Sequence, residues 1–73
     1  MAGTKTDVWN KIAGAWVQTQ GEVRRQWGKL TDDDLLEIRG QYDKLVGKVQ
    51  MRYGISKEEA MRQVDKWAAQ LRL

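Results

Sequence analysis

The sequence predicts an all-α fold, a small bundle of four to five helices, and three observations support this prediction. Apolar residues recur at helical spacing through most of the 73-residue chain. No stretch alternates between apolar and polar residues for long enough to indicate a strand. The glycines repeat at an offset of 26 residues in two ladders: Gly14, Gly21, Gly28 and Gly40, Gly47, Gly54. This repeat predicts an internal duplication of one helical unit.

Capping residues predict where two of the helices begin. Thr31 precedes three aspartates, and its side chain can accept a hydrogen bond from the backbone N–H of Asp34 while Asp34 reaches back. Ser56 and Glu59 repeat this capping box before the last helix. The chain contains no proline, so glycines and caps must mark every boundary.

Four of the repeated glycines are predicted to end or bend helices. Gly28 and Gly54 precede the capping boxes, at positions where a helix commonly ends in a left-handed residue. Gly14 and Gly40 are interpreted as bends that divide each repeat into a short helix and a long one, and the alternative is one continuous helix per repeat. With the bends, the five predicted helices span residues 5–13, 15–27, 32–39, 41–53 and 57–70.

The predicted core is rich in aromatic side chains. Four tryptophans and two tyrosines are many for 73 residues, and they compensate for the small size of the domain. Because Trp16, Trp27 and Trp67 lie on apolar helical stripes, we expect a core rather than a ligand cage. Trp9 is expected to be partly exposed. The residues expected to contribute most to stability are Trp16, Trp27, Tyr42, Tyr53, Val23, Val49 and Trp67.

The composition disfavours catalysis. The chain has no cysteine and no histidine, which removes the thiolate nucleophile, the commonest metal ligand and the usual general base. We therefore predict a protein that is not an enzyme, with no catalytic, cofactor-binding or metal-binding residues and no small-molecule substrate. No apolar run approaches the roughly 20 residues that span a bilayer, and no signal-peptide pattern is present. A cytoplasmic location is expected.

Several motifs resemble the CsbD-like family of small bacterial stress-response proteins. They are Trp16, Trp67 and the segments Trp-Gly-Lys-Leu-Thr-Asp-Asp-Asp-Leu (27–35), Asp-Lys-Leu-Val-Gly-Lys-Val (43–49) and Arg-Tyr-Gly-Ile-Ser-Lys-Glu-Glu-Ala (52–60). The resemblance covers about residues 8–67, and the length of 73 residues predicts a single domain, residues 1–73. It implies a fold similar to the SAM-domain-like class, with two crossed helical hairpins, and a stress-response role without a defined molecular activity. Thr19 departs from the pattern, which usually has a large apolar residue there.

The three consecutive aspartates, Asp32, Asp33 and Asp34, are interpreted as helix caps. Consecutive helical residues point about 100° apart, which does not suit the converging ligands of a Mg²⁺ or Ca²⁺ site. Negative charge at a helix N-terminus is stabilised by the helix dipole.

A basic row raises the hypothesis of nucleic-acid binding. Lys44, Lys48 and Arg52 recur every four residues on the fourth predicted helix. Contact with phosphates through this row would be weak, independent of base sequence and strongly dependent on salt. The interleaved acidic residues and a net charge of only +3 favour a solvated face over this alternative.

Gly21 and Gly47 have no local explanation in the sequence. Each is predicted to lie inside a long helix, where glycine costs roughly 1 kcal/mol relative to alanine. We interpret them as points where another helix of the chain crosses closely. The alternative is a contact surface for an unknown protein partner, a second copy of the chain or a membrane surface. The residues predicted to form that surface are Gly21, Gly47, Met51, Lys44, Lys48 and Arg52.

Overall fold

The computed structural model describes residues 3–71, with the side chains of residues 7–71, and consists of five α-helices. They are α1 (Gly3–Gly14), α2 (Trp16–Gln26), α3 (Asp32–Ile38), α4 (Tyr42–Tyr53) and α5 (Lys57–Gln70). No strand occurs within the described residues, and the all-α prediction is confirmed. Helix α4 packs against α3 and α5, and α1 packs against α2.

Gly14 and Gly40 separate helices, as their interpretation as bends predicted. Helix α1 ends at Gly14, and α2 begins two residues later. Gly40 lies in the turn between α3 and α4 with a φ of +77°. A Cβ at this position would lie 2.6 Å from the Cα of Ala13, in α1. Helix α1 therefore approaches the α3–α4 turn so closely that only glycine fits there.

The two predicted capping boxes differ in the structure. Thr31 Oγ1 accepts from the backbone N–H of Asp34 at 3.1 Å, and Asp34 Oδ2 accepts from the N–H of Thr31 at 3.0 Å. Ser56 Oγ accepts from the N–H of Glu59 at 3.1 Å. The Glu59 carboxylate accepts from Gln63 Nε2 at 3.2 Å instead of reaching back to Ser56. The first box is complete, and the second is a simple N-cap.

The prediction of a left-handed helix end is confirmed for Gly54 and wrong for Gly28. Gly54 caps α4 with a φ of +62°, whereas Gly28 does not have a positive φ. Helix α2 has already ended at Trp27, which has a φ of −125°. The Trp27 side chain is buried, and its indole N–H donates to Gln63 Oε1 at 3.1 Å. Burial of this tryptophan against α5 accompanies the exit from α2.

Aromatic side chains connect the helices through the core. The Trp27 ring lies 5.4 Å from the Trp67 ring, measured between centroids. Trp9 lies 6.2 Å from Trp67 and 5.2 Å from Tyr42 by the same measure. These contacts join α1, α4, α5 and the exit of α2 in one cluster. Its buried apolar members are Trp9, Ile12, Val23, Trp27, Leu30, Leu35, Ile38, Leu45, Val46, Val49, Ala60, Val64, Trp67 and Ala68.

The first half of the core differs from the prediction at Trp9, while Trp16 packs against the core as expected. Trp9 is buried instead of partly exposed, because α1 inserts it between Tyr42 and Trp67. Trp16 is half-buried, and its indole N–H donates to the carbonyl oxygen of Leu35 at 3.2 Å. Thr19 is fully buried without disturbing α2, since its hydroxyl donates to the carbonyl oxygen of Ala15 at 2.8 Å.

The internal duplication stays a prediction from the sequence. Two of the three repeated glycine pairs differ in backbone conformation: Gly40 and Gly54 have positive φ, and their counterparts Gly14 and Gly28 do not. Glycines at equivalent positions of the two repeats therefore have different backbone conformations.

Candidate functional site

An ion-pair cluster joins α3 to α4. The Asp34 side chain is 2 % exposed and accepts from both Nε and Nη2 of Arg52, at 2.7 and 3.0 Å. Lys48 Nζ lies 3.4 Å from Asp34 Oδ1 and 2.9 Å from Glu37 Oε1. Asp34 is therefore both a capping residue and the central anion of this cluster, a role that the capping interpretation missed. The i, i+4 spacing of Lys48 and Arg52 on the adjacent helix was the available signal.

The charges of this cluster stabilise one another. The Arg52 guanidinium holds the pKa of Asp34 well below its ordinary value of 3.8, and hydrogen bonds from Thr31 and Lys48 add to this effect. Burial acts in the opposite direction and is outweighed. The Glu37 carboxylate raises the pKa of Lys48, and the Asp34 carboxylate raises the pKa of Arg52. The shifted pKa values keep Asp34, Lys48 and Arg52 ionised at neutral pH.

The predicted basic row is largely paired within the protein. Lys48 and Arg52 bind the Asp34 carboxylate, while Lys44 makes no ion pair in the part of the chain that the structure describes. Arg39 is likewise without an ion pair among residues 7–71, and its Nε donates to the carbonyl oxygen of Leu36 at 3.2 Å. At the surface formed by α3 and α4, the cations without an ion pair among the described residues are therefore Lys44 and Arg39.

The predicted crossing of another helix at Gly21 and Gly47 is wrong. Both glycines are exposed, and a Cβ at either position would have no heavy atom of a neighbouring element within 4 Å. Packing among the described residues therefore does not require glycine at either position.

Gly21 and Gly47 instead line two neighbouring surface grooves. The α3–α4 groove has a volume of about 670 Å³ and is lined by Leu36, Glu37, Arg39, Lys44, Gly47, Lys48 and Met51. The α2–α3 groove has a volume of about 410 Å³ and is lined by Val17, Gln20, Gly21, Arg24, Asp32, Leu35 and Leu36. Leu36 belongs to both grooves, so it stands on the ridge between them.

The grooves are rimmed by exposed apolar side chains. Val17 is 82 % exposed, Leu36 64 % and Met51 57 %. These three are the large apolar residues classed as exposed among those described, and all of them line the two grooves. Apolar side chains gathered on one surface are typical of protein–protein contact sites.

The three consecutive aspartates point in different directions. The buried Asp34 carboxylate binds Arg52. The exposed Asp32 binds Arg24, with 2.6 Å between Oδ1 and Nη1. Across residues 3–71, no three acidic side chains gather closely enough to hold a metal ion. In the same range, each helix is too short or too polar to cross a bilayer.

Comparison with known proteins decides the family. The sequence pattern of the CsbD-like family matches residues 10–62. The chain belongs to the CsbD-like family. Its relatives include the UPF0337 protein YjbJ of Escherichia coli O6:H1, which is 52 % identical over 58 residues, or 80 % of this chain and 84 % of the relative. The YjbJ protein of Escherichia coli K12 is 50 % identical over the same shares of both chains.

A third relative comes from another bacterium. A UPF0337 protein of Rhodopseudomonas palustris is 48 % identical over 64 residues, or 88 % of this chain and 97 % of the relative. None of these three names specifies a molecular activity or an enzyme. Membership of the CsbD-like family therefore agrees with the resemblance found in the sequence and leaves the activity to be argued from the site.

In this CsbD-like protein, most of the predicted surface residues lie in one groove. Gly47, Met51, Lys44 and Lys48 line the α3–α4 groove, and Gly21 lies in the neighbouring one. Arg52 turns toward Asp34 and lines neither groove. The prediction did not include Leu36 or Val17. The adjacent pair Leu35–Leu36 gives no signal by itself, since the adjacent apolar pair Leu45–Val46 of α4 is buried at both positions.

Proposed function

We propose that this CsbD-like protein acts in the bacterial stress response by noncovalent binding of a protein partner, and that it is not an enzyme. The proposal is carried by one observation. The exposed face of α3 and α4 places Leu36 and Met51 around Gly47, and a Cβ at Gly47 would meet no neighbouring element of the described chain within 4 Å.

Both parts of that observation are unfavourable for an isolated protein. A glycine inside an exposed helix costs roughly 1 kcal/mol relative to alanine. Exposed leucine and methionine leave apolar surface in contact with water. A protein partner on this face would account for both, because it would cover Leu36 and Met51 and approach the backbone at Gly47.

The ionisable groups of the site support a binding role over catalysis. A general acid or base needs a pKa near the working pH. Asp34 has its pKa shifted in the opposite direction, and its carboxylate is saturated by Arg52, Lys48 and Thr31. With no cysteine or histidine in the chain, the groove offers no pair of nucleophile and base.

The ion pairs also weigh against the nucleic-acid hypothesis. Lys48 and Arg52 would have to leave Asp34 before they could neutralise phosphates. We expect no binding of duplex DNA or RNA at moderate salt. Binding that weakens steeply with salt and is abolished by Lys44→Glu would favour that hypothesis instead.

Affinity capture from stressed cells tests the proposed function. Wild-type protein is compared with Gly47→Glu, which places a carboxylate in the α3–α4 groove, and with Gln18→Glu, which adds the same charge on an exposed part of α2 outside both grooves. We expect wild type and Gln18→Glu to retain the same protein and Gly47→Glu to lose it. Equal retention by all three, or retention of nothing by wild type, contradicts the proposal.

A further inference from the structure

We propose that the occupant of the α3–α4 groove is an amphipathic α-helix of a partner protein, with an apolar stripe and acidic residues beside that stripe. This inference rests on the proposed function and specifies the chemistry of the partner. The partner's apolar stripe would lie on Leu36, Gly47 and Met51, and its carboxylates would lie near Arg39 and Lys44.

The shape of the groove favours a helix. Lys44, Gly47, Lys48 and Met51 follow the i, i+3, i+4, i+7 spacing that defines one face of α4, and Leu36 forms the facing wall on α3. That face extends for about two helical turns, or roughly 10 Å at 1.5 Å per residue. Helices pack about 8–10 Å apart, and small residues at the contact permit the closer distances. The missing side chain at Gly47 would let a partner helix lie deep between the two walls.

The charges around the groove specify an acidic partner. Lys48 is neutralised by Glu37 and Asp34, whereas Arg39 and Lys44 have no anionic partner among the described residues. The net unpaired charge beside Leu36, Gly47 and Met51 is therefore positive among the described residues. Carboxylates flanking the apolar stripe of the partner helix would complement it and fix the orientation of docking.

The neighbouring α2–α3 groove lacks this charge. Arg24 is paired with Asp32 across it at 2.6 Å, so no cation there is left for a partner. It therefore provides a matched control. Gly21, like Gly47, is an exposed glycine inside a helix, and among the described residues no neighbouring element comes within 4 Å of its Cβ position.

A bilayer surface fits the groove less well than a helix. An interfacial protein buries protruding apolar side chains in the lipid. A flat surface would contact Leu36 and Met51 on the rim without reaching the recessed backbone at Gly47, and would leave that glycine unexplained.

Selection of helical peptides by the intact protein tests this inference. A library of randomised helical peptides is selected on the wild-type chain, and the affinity of the enriched peptides is measured by titration calorimetry. We expect apolar residues at i, i+3 or i+4, and i+7, flanked by Asp or Glu. Gly47→Gln should weaken binding about tenfold or more, since it fills the floor of the groove, and Gly21→Gln should leave it unchanged. Circular dichroism should show both variants fully folded.

A charge exchange separates docking from a general change in the surface. Lys44→Glu should weaken binding of the acidic peptide. Replacing the facing Glu of the peptide by Lys should restore the affinity for this variant. Enrichment of basic peptides, the absence of an apolar stripe, or equal weakening by Gly21→Gln and Gly47→Gln would overturn the inference. The inference would also be overturned if the wild-type protein pelleted with phosphatidylglycerol vesicles, or formed a concentration-dependent dimer, and Gly47→Gln abolished that association.

The two experiments together also show whether the helical occupant or the proposed function is wrong. If capture from cells depends on Gly47 but no helical peptide is enriched, the helical occupant is wrong and the proposed function stands. If capture from cells is also unaffected by Gly47→Glu, the proposed function itself is wrong.

Discussion

At the scale of single residues, the glycines of this chain serve opposite purposes. Gly40 has a left-handed backbone and lies against the backbone of α1. Gly47, seven residues later, is exposed in a regular helix with open space at its Cβ position. The fold requires glycine at the first position and only tolerates it at the second.

Gly40→Ala is expected to destabilise the protein strongly. The added methyl group would lie 2.6 Å from the Cα of Ala13, and the φ of +77° is unfavourable for alanine. Strain and overpacking together predict a loss of about 2–4 kcal/mol in the free energy of unfolding. Urea unfolding monitored by tryptophan fluorescence measures this loss. Gly14→Ala is the control, since it meets nothing within 4 Å, and a loss as large there would refute the explanation.

Asp34→Asn is expected to lower stability at neutral pH. The substitution removes the anion that Arg52 and Lys48 bind but retains an oxygen that can accept from Thr31. Breaking a buried pair costs about 3–5 kcal/mol, and we expect about 2–3 kcal/mol because Arg52 stays partly in water. Urea unfolding at neutral pH measures the difference. Asp33→Asn, at an exposed position, should change stability little.

The same substitution should also change the pH dependence of stability. The folded-state pKa of Asp34 lies below its ordinary value of 3.8, so the unfolded chain takes up the proton first as the pH falls. The stabilisation by this carboxylate is therefore complete above that value and is lost at lower pH. Wild type should lose more stability than Asp34→Asn between neutral pH and about pH 3. Equal losses in the two proteins would mean that Asp34 is not the coupled group.

At the scale of helices, the sequence predicts starts and bends better than ends. Thr31 and Ser56 start α3 and α5 because their side chains act on the nearest backbone N–H groups. The end of α2 depends on a distant partner, since Trp27 leaves the helix where its ring meets Trp67 and its N–H meets Gln63. A contact over 36 residues of sequence has no local signal.

The candidate site was only partly predictable for the same reason. Gly47, Met51 and Lys44 share a face of α4, so their grouping follows from helical spacing alone. The open space above Gly47 and the exposure of Leu36 depend on how α3 and α4 pack, which the spacing does not determine. The burial of Trp9 also depends on the packing of α1 against distant residues.

Trp27→Ala should disrupt the junction between α2 and α5. The side chain is 1 % exposed and packs edge-on against Trp67. Truncating a buried tryptophan costs about 3–5 kcal/mol, which is a large share of the stability of so small a domain. Thermal unfolding followed by circular dichroism should lose its cooperative transition. Trp16→Ala, at a half-buried position, should retain one, and a midpoint for Trp27→Ala within a few degrees of wild type would contradict the prediction.

At the scale of the whole molecule, the stabilising core and the proposed recognition groove occupy different regions. The aromatic cluster of Trp9, Trp27 and Trp67 lies within the bundle, while Leu36 and Met51 line the outer groove of α3 and α4. The ion pairs of Asp34 with Lys48 and Arg52 join α3 to α4. Substitutions at the exposed groove residues Leu36, Gly47 and Met51 should therefore affect binding without reducing the stability of the bundle.

The free energy of unfolding of Gly47→Ala tests most directly whether the groove is separate from the stabilising core. If the glycine is retained for a partner, alanine should stabilise the isolated protein by about 0.5–1 kcal/mol through helix propensity and the lower entropy of the unfolded chain. Urea unfolding of wild type and variant under identical conditions measures the difference. A variant less stable than wild type would show that the fold itself needs Gly47, and it would contradict the assignment of the groove to recognition.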